Sequence, residues 1–233
     1  MTRPDGRRPD ELRPLSITPD WLKDPEGSAL IRAGETWVIC TASVEEKVPP
    51  FLKDSGKGWV TAEYAMLPRA TNTRGGRQPG GRGKEIERLI GRALRASIDM
   101  AKLGQRTITI DCDVLQADGG TRTAAITGGW VALRLATRML MEEGVIAKDP
   151  ILDHVAAISC GLVDGEAALD LDYEEDSNAE ADANFVLTGK GLIVEAQATG
   201  EKRGFSRAEF DTLIKLAQKG IAELVEKQTS AVS

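Results

Sequence analysis

The sequence predicts an α+β fold in which mixed β-sheets are layered with helices. Runs rich in β-branched residues alternate with turns that contain Gly, Pro or Asp, and other stretches repeat apolar residues at helical spacing. The hydrophobic fraction of 41% can fill a core, and the aromatic fraction of only 4% means that aliphatic side chains must build it. Such a core suits sheets covered by helices and argues against an aromatic platform for stacking bases.

The first third of the chain predicts sequential strands at residues 28–31, 36–44 and 58–66. Residues 71–83 are dense in Gly and Arg, so we expect a mobile surface loop there. A helix follows directly. Its apolar face is formed by residues at helical spacing, namely Ile86, Leu89, Ile90, Ala93, Leu94, Ile98 and Ala101.

The remaining elements follow the same rules. Residues 107–115 predict a strand, which a Gly-containing turn joins to an apolar helix over about residues 123–141. Two hairpins come next, and their predicted strands are residues 155–163, 166–173, 183–187 and 192–198. Ser206 and Glu209 form a capping box that begins the last helix. We see no linker, so we expect a single catalytic domain over residues 1–233.

The charges are divided along the chain. The net charge of −6 argues against a generally basic nucleic-acid binder. However, residues 69–95 hold eight Lys or Arg against two Glu, whereas residues 164–182 hold nine Asp or Glu and no Lys or Arg. The first stretch could hold phosphates and the second a divalent cation. Charge runs are usually solvated surface, so the asymmetry alone decides little.

The sharpest local feature is the turn Asp118-Gly119-Gly120-Thr121-Arg122, between a predicted strand and a predicted helix. Backbone N–H groups and the positive end of the helix favour an anion at such a place. Arg122 would add a charged fork and Thr121 a hydroxyl donor, so a phosphate could bind here. A tight left-handed turn with a surface arginine explains the same residues equally well.

The loop before the first helix is basic. Its cations are spaced by Gly and Pro, and they are Arg69, Arg74, Arg77, Arg82 and Lys84. Such a loop can follow a flexible polyanion without reading bases, although a disordered basic loop is an equally common explanation. It is not a nucleotide-binding P-loop, because Glu85 stands where that motif requires Ser or Thr.

Four aspartates of the acidic stretch lie near strand ends, namely Asp170, Asp172, Asp176 and Asp182. Carboxylates are the ligands that Mg²⁺ requires, but on spacing alone a set of solvated turn acids is the better interpretation. His154 is the only histidine and has no evident Ser or Cys partner, so we interpret it as structural. This disfavours hydrolysis by a catalytic triad.

Cysteine use and hydropathy bear on location. The three cysteines, Cys40, Cys112 and Cys160, lie far apart in or beside apolar runs, so we expect buried reduced thiols rather than a zinc site. Residues 2–14 are charged and Pro-rich, without the apolar stretch of a secretion signal, and no run reaches membrane-spanning length. We therefore expect a cytoplasmic protein that does not contact membranes.

These features occur in an order that resembles the bacterial ribonuclease PH family over nearly the whole chain. Near the start, the resemblance is carried by Gly6-Arg7 and Arg13-Pro14. Further on it is carried by residues 26–28, 40–43, 58–64, 66–69, 85–90 and 111–123. The departures are small: Ala65 and Ala183 stand where Gly and Met are expected, and the basic loop is slightly shorter than in some relatives.

The resemblance implies a ribonuclease PH-like fold and a set of site residues. Arg82, Gly120, Thr121 and Arg122 would bind the attacking inorganic phosphate, and Arg122 would also be catalytic. The acidic stretch would contribute Asp176 and Asp182 as catalytic carboxylates that bind Mg²⁺. The RNA contacts would come from Arg69, Arg74 and Arg77.

The activity implied by the resemblance is phosphorolytic 3′–5′ exoribonuclease action. The enzyme would use inorganic phosphate to remove 3′-terminal nucleotides as nucleoside diphosphates, from tRNA precursors first and also from other RNAs such as rRNA, and would add nucleotides in reverse. A homo-oligomer is also implied, a hexamer built as a trimer of dimers. Two other functions stay open at this point: a catalytically silent RNA-binding ring subunit, and a Mg²⁺-dependent nuclease that uses water.

Overall fold

The computed structural model describes residues 3–77 and 80–233, and these contain nine strands and five helices. The strands are β1 Leu15–Pro19, β2 Gly27–Ala33, β3 Thr36–Glu45, β4 Trp59–Met66, β5 Thr107–Gln116, β6 Val155–Val163, β7 Glu166–Leu169, β8 Ala181–Thr188 and β9 Ile193–Gly200. The helices are α1 Gly81–Arg95, α2 Met100–Leu103, α3 Thr121–Glu142, α4 Tyr173–Asn178 and α5 Arg207–Ala231. The predicted α+β class is confirmed.

The strands form two sheets. The first has the order β1-β2-β3-β5-β4, in which β4 and β5 are parallel and the other neighbours are antiparallel. The second has the order β7-β6-β8-β9 and is antiparallel throughout. Because β5 leads into α3 at one end of the first sheet, the glycine turn at residues 118–120 lies where strand and helix meet.

Helix α3 lies between the two sheets. Its buried residues contact β2, β3 and β5 on one side and β6 on the other. Strand β6 is buried along its whole length, and its side chains alternate between two cores. Val155 and Ala157 pack in the core that contains α3, whereas Ala156 and Ile158 pack in the core that contains α5.

Most of the predicted elements are confirmed within a few residues, and two are not. The first helix ends at Arg95 rather than near Ala101, because the Ser97 hydroxyl bonds the Leu94 carbonyl and Ile98 forms a β-bridge to Ile151. The strand predicted over residues 166–173 ends at Leu169. Helix α4 and strand β1 are present without having been predicted.

Two further predictions concern local features. The predicted loop at residues 71–83 is irregular as far as residue 77, but α1 already begins at Gly81; its residues 78 and 79 lie outside the described part of the chain. Cys40, Cys112 and Cys160 are free and buried, as expected. Among the described residues, no helix has both the length and the apolarity that crossing a bilayer requires.

Candidate active site

A cavity of about 690 Å³ opens between the two sheets at the start of α3. The predicted site residues that line it are Arg77, Arg82, Gly120, Thr121, Arg122, Asp176 and Asp182. They come from the basic loop, the beginnings of α1 and α3, helix α4 and strand β8. Residues that lie more than 90 positions apart in the sequence therefore line the same cavity.

The glycine turn brings backbone donors to the cavity. Gly119 and Gly120 have φ angles of +71° and +64°, the left-handed region that favours glycine. A Cβ atom on Gly119 would lie 2.6 Å from the carbonyl carbon of Asp172, so the turn packs closely against the segment before α4. Since Gly120 has no side chain that could cap α3, the N–H groups of the first turn of the helix remain available to an anion.

Two arginines add positive charge to the cavity wall beside the glycine turn. Arg122 lies in the first turn of α3, and Arg82 lies in the first turn of α1 rather than before it. Both line the cavity, so two helix N-termini and two guanidinium groups converge on it. The cavity wall therefore carries more positive charge than the glycine turn and Arg122 alone would supply.

Tyr64 also lines the cavity, although its sequence position alone predicts no role in the site. It lies near the end of β4, is almost fully buried, and its hydroxyl donates a 2.8 Å hydrogen bond to the Thr121 hydroxyl oxygen. Burial raises the pKa of Tyr64 above its usual value, while the Thr121 hydrogen bond and the charges of Arg82 and Arg122 act in the opposite direction. The phenol therefore stays protonated and holds the Thr121 side chain at the edge of the anion site.

The acidic wall of the cavity contains Asp176 on α4 and Asp182 on β8, with the side chain of Asn184 beside them. Partial desolvation in the concave pocket raises the pKa of Asp176, although its side chain remains accessible to solvent. The negative charge of Asp182 raises this pKa further, and Arg122 and Arg82 oppose the shift. Two repelling carboxylates beside an amide are a donor set that suits a hard divalent cation.

The other two aspartates of the acidic stretch have structural roles. Asp170 is buried and accepts hydrogen bonds from Arg13, whose charge holds the pKa of this carboxyl below its usual value against the effect of burial. Asp172 caps α4 by accepting a hydrogen bond from the backbone N–H of Glu175. Within the described residues, no cluster of three or more His, Cys, Asp or Glu side chains forms a ready-made metal site.

The basic loop is only partly in the cavity wall. Arg77 lines the cavity, whereas the exposed side chains of Arg69 and Arg74 bond to carbonyl groups of their own loop, those of Asn72 and Gly75. The latter two arginines thus lie on the surface that leads to the cavity. His154 lies elsewhere, stacked on the Trp130 ring at 4.2 Å between ring centroids.

A second open space of about 460 Å³ adjoins the first and shares Arg82, Arg122, Asp182 and Asn184 with it. Its remaining wall comes from α1 and β9, with Glu85, Gln197, Thr199 and Glu201. The two arginines and Asp182 therefore stand between two solvent-filled spaces. An anion held by the arginines would be accessible from both sides.

Family models match most of the chain. The model described as 3′ exoribonuclease family, domain 1, matches residues 11–138, and that of domain 2 matches residues 153–220. Among curated relatives, ribonuclease PH of Caulobacter vibrioides (strain NA1000 / CB15N) is 62% identical over 235 residues, covering 99% of both chains. Ribonuclease PH of Cereibacter sphaeroides (strain ATCC 17029 / ATH 2.4.9) is 59% identical with the same coverage.

Solved structures support the fold. The chain superimposes on rice Rrp46 with a TM-score of 0.81 and 22% identity, covering 99% of this chain and 100% of that one. It superimposes on a chain of the Archaeoglobus fulgidus exosome with RNA bound to the active site with a TM-score of 0.84 and 23% identity, covering 97% and 92%. At such identities the likeness shows the fold alone, and it confirms the predicted ribonuclease PH-like class.

Proposed function

The chain belongs to the 3′ exoribonuclease family of the ribonuclease PH type, and from this premise we propose that the cavity at the start of α3 is its phosphorolytic site. The protein is a phosphate-dependent 3′–5′ exoribonuclease. The observation that carries the site assignment is that two helix N-termini, Arg82 and Arg122 line the same cavity as Asp176 and Asp182. We assign the cationic wall to the attacking phosphate and the acidic wall to the leaving oxygen.

In the proposed reaction an oxygen of inorganic phosphate attacks the phosphorus of the last phosphodiester. The bond from that phosphorus to the 3′ oxygen of the preceding nucleotide breaks, and this oxygen takes up the proton that the attacking hydrogen phosphate loses. The products are a nucleoside 5′-diphosphate and an RNA one nucleotide shorter, and the reverse reaction adds a nucleotide. Arg82, Arg122, Thr121 and the backbone at Gly120 hold the phosphate beside the RNA anion despite their repulsion.

We assign Mg²⁺ to Asp176 and Asp182, whose mutual repulsion a divalent cation would relieve. When bound, the metal supplies positive charge that stabilises the transition state. Asp182 and Asn184 are two positions apart on β8, so their side chains lie on the same face of the strand, and both line the cavity.

We propose that tRNA precursors with 3′ extensions are the first substrates, with rRNA and other RNAs also used. Arg69, Arg74 and Arg77 would contact the RNA backbone, because they lie on the exposed loop that leads into the cavity. Contacts to phosphates by flexible arginines position a strand without reading its sequence. Raising the salt concentration should therefore weaken RNA binding in wild type more than in a variant with all three arginines replaced by alanine.

The test of the proposed function is product analysis. Purified protein with Mg²⁺ and an end-labelled RNA carrying a 3′ extension is incubated with and without inorganic phosphate, and the released nucleotides are identified. Phosphate-dependent release of nucleoside diphosphates is expected. Monophosphates released without phosphate would mean hydrolysis by water, and RNA that is bound but uncut would mean a silent ring subunit.

We also propose that the chain assembles as a hexamer, a trimer of dimers, and acts in the cytoplasm as one catalytic unit. The packing of α3 against both sheets supports a single unit, and the three buried free thiols suit a reducing compartment. Sedimentation should give a mass six times the 25.0 kDa of the chain. Unfolding in denaturant should show both sheets melting in one transition.

A further inference from the structure

Helix α4, which carries Asp176, has little apolar support. It has six residues, all of them described, and only Glu175 among them is buried. A helix of this length is not stable on its own. Glu175 accepts a hydrogen bond from the Asp172 N–H and donates its own N–H to the Asp172 carboxylate, which closes a capping box. Leu171 before α4 and Ala179 after it are buried, and of the six residues of the helix itself only Glu175 anchors it to the protein interior.

The Glu175 carboxylate is held by Arg3, and the Arg7 guanidinium lies 3.5 Å from it. The Arg3 side chain is fully buried and forms a forked ion pair with Glu175, with both nitrogen–oxygen distances 2.6 Å. It also donates to the carbonyl oxygens of Leu169 (2.8 Å) and Asp170 (2.9 Å), at the end of β7. One guanidinium group thus ties the helix that carries Asp176 to the sheet behind it.

A second arginine of the same segment reaches the glycine turn. The Arg13 side chain donates to both carboxylate oxygens of Asp170, at 3.1 and 2.8 Å, and its third nitrogen donates to the Asp118 carbonyl at 2.5 Å. A Cβ atom on Gly120 would lie 2.9 Å from the Arg13 guanidinium, so the arginine supports the turn from behind. The Asp118 carboxylate in turn accepts a hydrogen bond from the N–H of Tyr173, the first residue of α4.

We propose that Arg3 and Arg13 are positioning residues, which fix the anion-binding turn and the helix of Asp176 relative to each other. Neither residue lines the cavity described above. Each is buried and uses a fork that a point charge such as Lys cannot reproduce. The inference rests on the proposed function, since it assigns these arginines a role in the geometry of that phosphate site.

The first variant is Arg13→Lys, which keeps the positive charge but cannot bond Asp170 and the Asp118 carbonyl together. The KM for inorganic phosphate should rise about tenfold, the size expected for losing one charge-assisted hydrogen bond, while the KM for RNA stays unchanged. Calorimetric titration with inorganic phosphate should show the same weakening without any turnover. A purely structural role would lower the folded fraction and leave both the KM and the affinity for phosphate unchanged.

The second variant is Glu175→Gln, which keeps the size of the side chain but removes the charge that Arg3 holds. Here kcat should fall about tenfold with the KM for phosphate unchanged, because only the helix of Asp176 is displaced. Asp10→Asn is the matched control, since it breaks an exposed ion pair with Lys219 in the same segment and should change nothing.

These experiments distinguish a failure of the proposed function from a failure of the positioning role of the two arginines. If wild type releases no diphosphates, the proposed function fails, and calorimetric phosphate binding by Arg13→Lys still decides the positioning role. If Arg13→Lys does not fold, as judged by circular dichroism, the kinetics of Glu175→Gln test the positioning role instead. The inference is overturned if the folded variants match wild type in KM, in kcat per folded molecule and in phosphate affinity, or if Asp10→Asn shows the same losses.

Discussion

The glycine turn and helix α4 line the same cavity, yet they are supported in different ways. The turn continues into α3, which has 22 residues, 15 of them buried between the two sheets. Helix α4 has six residues and is held by ion pairs and capping hydrogen bonds. Apolar burial fixes the helix of Arg122, whereas polar contacts made by α4 fix the helix of Asp176.

Substitutions on the two walls should therefore have different effects on phosphate binding and on turnover. The proposed phosphate site includes backbone N–H groups at the start of a buried helix, so losing one side chain there should weaken phosphate binding without abolishing it. The acidic wall depends on two charges that repel each other. Removing one of them should change the chemistry and the charge balance rather than the affinity for RNA.

The largest expected effect tests the acidic wall. Asp182→Asn should lower kcat by roughly 10²-fold or more, because the amide keeps the shape but removes charge from the proposed metal site. RNA binding, measured by fluorescence anisotropy, should be unchanged. Wild-type turnover in this variant would show that the assignment of the metal site is wrong.

The next effect tests the cationic wall. Arg122→Ala should raise the KM for inorganic phosphate by roughly 10- to 100-fold, since a charge-assisted hydrogen bond is lost while the backbone donors remain. Arg134→Ala is the matched control: it lies on the same helix about 18 Å further along and pairs with Asp149. An unchanged dependence of the rate on phosphate concentration would contradict the role of Arg122.

A smaller effect is expected when the hydrogen bond between Tyr64 and Thr121 is removed. Tyr64→Phe removes only the hydroxyl that bonds Thr121, so the KM for phosphate should rise roughly three- to fivefold and the free energy of unfolding should fall by about 1 kcal/mol. Thr121→Ala should have a similar effect on KM. If Tyr64 acts through Thr121, the double variant should be no worse than Thr121→Ala, and additive losses would mean that the two side chains act separately.

The smallest effect concerns the stability of the acidic wall without divalent cations. The folded-state pKa of Asp176 is raised, so its ionised form is disfavoured in the folded protein and stability falls as the pH rises through the window above the ordinary value of 3.8. In EDTA at neutral pH, Asp176→Asn should therefore unfold at a slightly higher temperature than wild type. Calorimetry should show that the difference in melting temperature between Asp176→Asn and wild type becomes smaller as the pH is lowered. A difference that grows as the pH is lowered would mean that the surroundings of Asp176 stabilise its ionised form.

Much of the fold could be predicted from local patterns. Strand β6, helix α3 and the capping box of α5 are signalled by residues that are neighbours in the chain, and the structure has them where the patterns predict. The end of α1 was missed because the apolar spacing continues to Ile98, which packs through a β-bridge to Ile151 instead. Hydrophobic periodicity does not distinguish these two ways of burying the same side chain.

The segment after β7 was missed for a related reason. Asp170 has a φ angle of +54°, which ends the strand, and the carboxylate of this residue pairs with Arg13, 157 positions away. No local pattern contains that partner. Tyr64 likewise stood within a stretch that resembles the family, but its role follows only from the position of Thr121, 57 residues later.

The fold class, the family resemblance, the glycine turn between a strand and a helix, and the separate basic and acidic stretches could all be identified from the sequence, because each depends on residues close together in the chain. The tertiary structure was needed to show that Asp176 and Asp182 line the cavity, whereas Asp170 and Asp172 have structural roles. It also decided that Arg3 reaches Glu175 across 172 positions. The physical reason is that burial and ion pairing depend on distance in space, which the packing of α3 between two sheets sets.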